Sequence, residues 1–222
     1  LHMIFSGNPG TGKTTVARIL GRMLKELGII DSGHLVEAER ADLVGEYIGH
    51  TAQKTREKIK KAFGGILFID EAYSLARGGE KDFGKESIDV LVKAMEDHKN
   101  EFILVLAGYP SEMEMFLSAN PGLRSRFPTQ LSFDDYTDAE LLQIAELFCT
   151  KREYRLSERA RIRISEIMQS ERSRAEAVFG NARTVRNLVE KAIRRQATRL
   201  LGKQKLLRQD LLLLEECDFI AL

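Results

Sequence analysis

Short apolar runs alternate with segments whose apolar residues recur every three or four positions, and this alternation persists to about Asp135. Met3 to Ser6 reads as a strand running directly into a glycine-rich loop. Thr14 to Leu27 predicts a helix, with Gly28 as its stop signal. Leu35-Val36 opens another strand, followed by the polar run Glu39-Arg40-Ala41-Asp42. Thr51 to Phe63 predicts a helix closed by Gly64-Gly65. Ile66-Leu67-Phe68-Ile69 is a continuous apolar run of the kind buried on both faces of a parallel sheet. A helix over Glu86 to His98, a buried strand over Phe102 to Ala107 and a short strand over Gln130 to Phe133 complete this part. Strands alternating with helices predict a parallel sheet covered on both faces.

After Asp134-Asp135 the period becomes helical throughout. Thr137-Asp138-Ala139-Glu140 is a capping-box signal, and Leu141, Leu142, Ile144, Ala145, Leu147 and Phe148 supply the apolar face behind it. Ile162 to Met168 and Val185 to Leu201 continue as helices, without convincing strands. The expected organisation is an α/β nucleotide-binding domain over residues 1–135 and a small all-helical domain over 136–222. The chain opens on what reads as a central strand, which predicts that an upstream segment is missing.

Composition changes this picture little. The 222 residues are 43% hydrophobic and 30% charged, ordinary for a folded globular chain. A formal net charge of +1 gives no general attraction to nucleic acid or to a membrane surface. No apolar run approaches the roughly 20 residues that span a bilayer, and no signal-peptide pattern is present. The leucine-rich end, Leu206-Leu207 and Leu211 to Leu214, reads as a core or partner-facing segment. Cys149 and Cys217 lie far apart and match no metal spacing, which fits a reducing cytoplasm, and a buried apolar role suits them better than chemistry. The four histidines are scattered and suggest no metal site.

The chemistry lies in two segments. Gly7-Asn8-Pro9-Gly10-Thr11-Gly12-Lys13-Thr14 matches G-x-x-x-x-G-K-S/T in full, after a strand and opening a helix. Glycines let backbone N–H groups turn inward around phosphates, and the helix start adds its positive end. Asn8 to Thr15 are thus expected to bind nucleotide, with Lys13 on the β- and γ-phosphates and the Thr14 hydroxyl on Mg²⁺. Ile66 to Ile69 ends in Asp70-Glu71, two carboxylates at the sheet edge where ligands bind. Asp70 is expected to hold the magnesium, largely through its water shell, and Glu71 to polarise the attacking water as general base. An acidic pair alone is usually a helix start; beside the glycine loop it points to ATP hydrolysis.

With these residues in hand, the chain resembles the AAA+ ATPases of the CbbX type. GNPGTGKTT, ADLVGEYIGHTAQKT, GGILFIDEAYSLARGG, LVLAGY and NPGLRSRF carry the resemblance in family order over nearly the whole chain. EAERADLVGEYIGHTAQKT and ARGGEKDFGKE are most similar to the sporulation members of that family. The resemblance implies a P-loop sheet followed by a helical lid, and a magnesium-dependent ATPase that assembles as a ring, a hexamer, and remodels a protein client. It implies that Arg126, with Arg124 as second candidate, is an arginine finger reaching a neighbouring subunit's ATP. It implies that Arg183, in Gly180-Asn181-Ala182-Arg183, senses the γ-phosphate, with Arg186 one turn on as its rival. Tyr47 matches the pore-loop aromatic that grips a threaded polypeptide, against the alternative of a tyrosine packed at a domain edge. Two departures stand out. The strand end that often carries a polar sensor reads Ala107-Gly108-Tyr109, and the segment before the first strand, which the resemblance implies helps hold adenine, is expected to be missing. A red-type Rubisco activator is the rival within the family; a clamp loader or helicase-like motor is the rival of another class, disfavoured by the charge.

Overall fold

The computed structural model describes residues 1–47, 49–77, 83–174, 178–201 and 207–220. Ile48 of the expected pore loop, residues 78–82 of the ARGGEKDFGKE stretch and Leu206 lie outside them. The chain divides into two compact units: Leu1–Gly7 with Gly12–Phe133, and Asn8–Thr11 with Asp134–Leu222.

The first unit runs β1 (Met3–Gly7), α1 (Lys13–Glu26), β2 (Leu35–Ala38), α2 (Arg40–Leu43), α3 (His50–Lys61), β3 (Ile66–Ile69), a 3₁₀ turn (Ala72–Ala76), α4 (Gly84–Asp97), β4 (Ile103–Gly108), α5 (Pro110–Ala119), α6 (Pro121–Arg124) and β5 (Thr129–Phe133). Its strands form one sheet in the order β2-β3-β4-β1-β5, and every pairing is parallel. The continuous apolar runs have the placement that parallel sheets require, since β3 and β4 are buried at every residue. Side chains alternate across the sheet. Ile4, Leu67, Ile69, Leu104 and Leu106 face a core shared with Ile59, Leu91 and Phe116 of the helices. Met3, Phe5, Ile66, Phe68, Ile103 and Val105 face the other, with Ala17 and Leu24 of α1.

Local signals set the helix ends. Gly28 (φ 69°) closes α1 in a Schellman arrangement: Ile29 N donates to Leu24 O at 2.9 Å and Gly28 N to Lys25 O at 2.9 Å. The polar run after β2 becomes the single turn α2, where the Glu39 amide donates to the Asp42 carboxylate at 3.1 Å.

The second unit contains α7 (Asp138–Thr150), β6 (Arg155–Leu156), α8 (Glu158–Arg174), α9 (Asn181–Leu201), α10 (Arg208–Leu212) and β7 (Leu213–Leu214). The Thr137 box forms as its sequence predicts: the Thr137 hydroxyl accepts from Glu140 N at 3.3 Å, and the Glu140 carboxylate accepts from Thr137 N at 2.7 Å. To the helices the structure adds a parallel pairing of two residues a side, β6 with β7, which the periodicity does not announce. It seats Leu214 in the core with Leu156, Ile164 and Leu188, so the leucine-rich end is in part core while Leu211 faces solvent. The buried Gln196 carboxamide donates to Leu211 O and Leu213 O at 3.0 and 3.1 Å, holding that end against α9. Cys149 is buried in this core, which raises its thiol pKa to about 11, while Cys217 is exposed. No helix among the described residues is long and apolar enough to cross a membrane.

Candidate functional site

β4 lies between β1 and β3. Ile4, Leu106 and Ile69 stand level across the three strands. The glycine loop therefore leaves the same edge of the sheet as Asp70-Glu71, about 10 Å away at two strand spacings. This is the carboxyl edge, where open α/β sheets bind ligands.

Gly12 (φ 95°) precedes α1 in the left-handed region, and Val16 N donates to Gly12 O at 2.9 Å, so the helix starts within the loop. The Lys13 ammonium donates to Gly7 O at 2.7 Å, folding its side chain back along the loop. Thr14 is half-buried and Thr15 exposed. The Asp70 carboxylate accepts from Glu71 N at 3.0 Å. Glu71 itself is exposed and sits at φ 47°, ψ 45° as the residue before the 3₁₀ turn, whose Ser74 N donates to Glu71 O at 2.7 Å. A glutamate in that region is strained by about 1–3 kcal/mol, a cost found most often at functional sites. Tyr73 beside it is buried, and burial followed by the Glu71 charge pushes its hydroxyl to about 12, so the phenol stays neutral.

Asn8 to Thr11 of the loop belong to the second unit. The Asn8 carboxamide donates to Asp135 Oδ1 at 3.0 Å. Gly10 (φ 72°) cannot carry a side chain: a Cβ there would lie 2.3 Å from Gly180 O and 2.8 Å from Arg183 N. Asn181, fully buried at the start of α9, also takes a left-handed φ of 47°, which asparagine tolerates. Its Oδ1 accepts from Tyr136 N at 3.0 Å, while its Nδ2 donates to Asp135 Oδ1 at 2.7 Å, Phe179 O at 3.0 Å and Pro9 O at 3.4 Å. Sequence reading names Asn8 to Thr15 and Arg183 here but passes over Asp135, Tyr136 and Asn181. The conspicuous sign they leave in the sequence is an asparagine inside Gly180-Asn181-Ala182-Arg183.

The other predicted residues occupy surfaces. Arg183 is exposed on the first turn of α9, and the Arg186 guanidinium lies 5.4 Å over the Phe148 ring. Arg126 bonds to the Glu96 carboxylate of its own chain and to Gly122 O at 2.6 Å, and Arg124 lies 3.5 Å from Glu114. Tyr47 is 66% exposed, with its ring edge-on to His50 at 5.5 Å.

The residues fit a nucleotide with magnesium. A hydroxyl and a carboxylate, Thr14 and Asp70, are hard oxygen donors of the kind Mg²⁺ takes.

Residues 3–135 match the ATPase family associated with various cellular activities (AAA), and residues 137–221 match the AAA lid domain. The chain is 58% identical over 219 residues to stage V sporulation protein K of Bacillus subtilis, covering 98% of this chain and 68% of that protein. It is 47% identical to protein CfxQ of Xanthobacter flavus, covering 90% and 63%. It is 43% identical to the chloroplastic ribulose bisphosphate carboxylase/oxygenase activase of Cyanidioschyzon merolae, covering 99% and 75%. The chain thus spans about two thirds to three quarters of these relatives. Among solved structures, the Thermotoga maritima RuvB Holliday junction branch migration motor superposes with a TM-score of 0.63 at 25% identity, covering 95% of this chain and 59% of that one.

Proposed function

Because this chain belongs to the AAA ATPases, with the AAA domain followed by its lid domain, we propose that it drives a ring-shaped, magnesium-dependent remodeller of a protein client. The observation that carries the proposal is that Gly7, where the glycine loop opens, and a strained, solvent-facing glutamate, Glu71, follow parallel strands of one sheet at the same edge. Residues 1–135 serve as the nucleotide-binding domain and 136–222 as the lid. The loop from Asn8 to Thr15 receives the triphosphate, and Lys13 balances its β- and γ-charges. Thr14 and Asp70 hold magnesium, which when bound neutralises charge on the phosphates. Glu71 takes the proton from the attacking water. Arg126, or failing it Arg124, completes the site of a neighbouring subunit, Arg183 contacts the γ-phosphate, and Tyr47 grips the client.

A sporulation role is the favoured setting, supported by 58% identity to stage V sporulation protein K. Activation of a Rubisco-like client is the second reading, supported by the relative of that name. The likeness to RuvB bears on the fold, and a net charge of +1 lends a nucleic-acid client no support.

The test is Lys13→Ala. Titration with ATP should give at least a hundredfold loss of affinity, since a charge-assisted contact to phosphate is removed from a site built around it. Affinity within threefold of the parent would remove the phosphate-loop assignment.

A further inference from the structure

Four successive carbonyls of the glycine loop are each held by a hydrogen-bond donor. Asn8 O accepts from the Thr11 hydroxyl at 2.8 Å. Pro9 O accepts from Asn181 Nδ2 at 3.4 Å, Gly10 O from Ala182 N at 3.2 Å, and Thr11 O from the Tyr136 hydroxyl at 3.1 Å. In a planar trans peptide, the C=O and the following N–H point in opposite directions. Fixing the carbonyls of Pro9, Gly10 and Thr11 on one side therefore aims the N–H groups of Gly10, Thr11 and Gly12 to the other side. A row of backbone N–H groups turned one way is what an anion-binding nest consists of.

The donors are themselves fixed. A backbone N–H can only donate and a carbonyl can only accept, so the partners of Asn181 allow its carboxamide a single orientation. Oδ1 must meet Tyr136 N, and Nδ2 must meet Phe179 O and Pro9 O. Tyr136 is tied in turn by Arg172, whose guanidinium donates to Tyr136 O at 2.5 Å. Asp135 Oδ1 accepts from both Asn8 and Asn181, joining the loop's first side chain to the same cluster.

We infer that Tyr136 and Asn181 are positioning residues for the triphosphate: by clamping the loop's carbonyls they turn its N–H groups toward the phosphates before nucleotide arrives. This rests on the phosphate-loop reading, and it adds two residues outside the G-x-x-x-x-G-K-S/T motif to the binding machinery. Both act through the backbone of the loop and touch no phosphate themselves.

Tyr136→Phe removes one hydroxyl and keeps the ring. Its dissociation constants for ATP and for inorganic tripolyphosphate, which lacks base and sugar, are expected to rise together by about fivefold, the worth of one ordinary hydrogen bond. The melting temperature should stay within about 2 °C. Asn181→Asp places an acceptor where Pro9 O and Phe179 O need a donor, and should weaken both ligands further, by about tenfold or more. Should the aspartate variant fail to fold, the phenylalanine variant decides alone. Unchanged affinity for both ligands, a loss for ATP alone, or a loss only in proportion to a fall in melting temperature would each overturn the inference. Lys13→Ala measured in parallel separates the two levels. If it loses ATP while Tyr136→Phe binds normally, the clamp alone fails; if it keeps ATP, the phosphate-loop reading fails and takes the clamp with it.

Discussion

Glu71→Gln is expected to bind ATP as tightly as the parent chain and to hydrolyse it roughly 10²–10⁴ times more slowly, the usual worth of a positioned general base. The amide keeps the size of the carboxylate and loses only its ability to take a proton. Equilibrium titration and single-turnover hydrolysis, measured on one preparation, separate the two effects. The backbone supplies an independent check. Glu71 is held at φ 47° by the Asp70 carboxylate on its amide and by Ser74 on its carbonyl. Asparagine enters that region more readily than glutamate or glutamine. Glu71→Asn should therefore be as inactive as Glu71→Gln yet melt about 2 °C higher, since relief of somewhat under 1 kcal/mol shifts a chain of this size by that amount. Stability gained as activity is lost is the mark of strain kept for chemistry. Near-parental turnover by Glu71→Gln would place the base elsewhere.

The second large effect belongs to Arg126. On its own chain the guanidinium is engaged by Glu96 and Gly122, with its side chain 30% exposed. Such a surface pair holds an arginine loosely, since exposed ion pairs contribute about 0–1 kcal/mol. Exchange onto a neighbour's triphosphate is therefore affordable for the side chain. Arg126→Ala should lower turnover by about 10³-fold or more while leaving ATP affinity within a few-fold, because a finger acts on charge that develops in the transition state. Mixing Arg126→Ala subunits with Glu71→Gln subunits should restore part of the activity. At some mixed interfaces an intact Glu71 then meets an intact Arg126. Arg126→Lys should not rescue, since an ammonium lacks the planar fork. Mixed particles that form without any recovery would count against action between subunits.

The sequence made legible whatever depends on near neighbours. β3 and β4 follow from uninterrupted apolar runs, α1 from its period and from Gly28, and α7 from a capping box four residues long. The glycine loop is read from its spacing between a strand and a helix, because phosphate chemistry demands glycines and a lysine at set intervals, and Asp70-Glu71 from the buried strand that ends in it. What stayed hidden depends on distant partners. β6 and β7 are two residues each, too short to alternate, and pair across 58 positions, as Arg155 with Leu213. α5 has no counterpart in the sequence reading, although its Met113, Phe116 and Leu117 pack in the core. Asn181 reaches the loop across 172 positions and Tyr136 across 125, so neither contact can be read from near neighbours. Arg126 is visible as a motif, but its partner Glu96 lies on another element.

The most direct test of the account is steady-state ATP hydrolysis per subunit over a wide range of protein concentration, with particle mass followed by light scattering in the same samples. Turnover per subunit should rise as large particles appear, because each site lacks its arginine until a neighbour brings one. Turnover that stays constant from monomer to assembled particle would contradict it, since a site complete within one chain needs no ring.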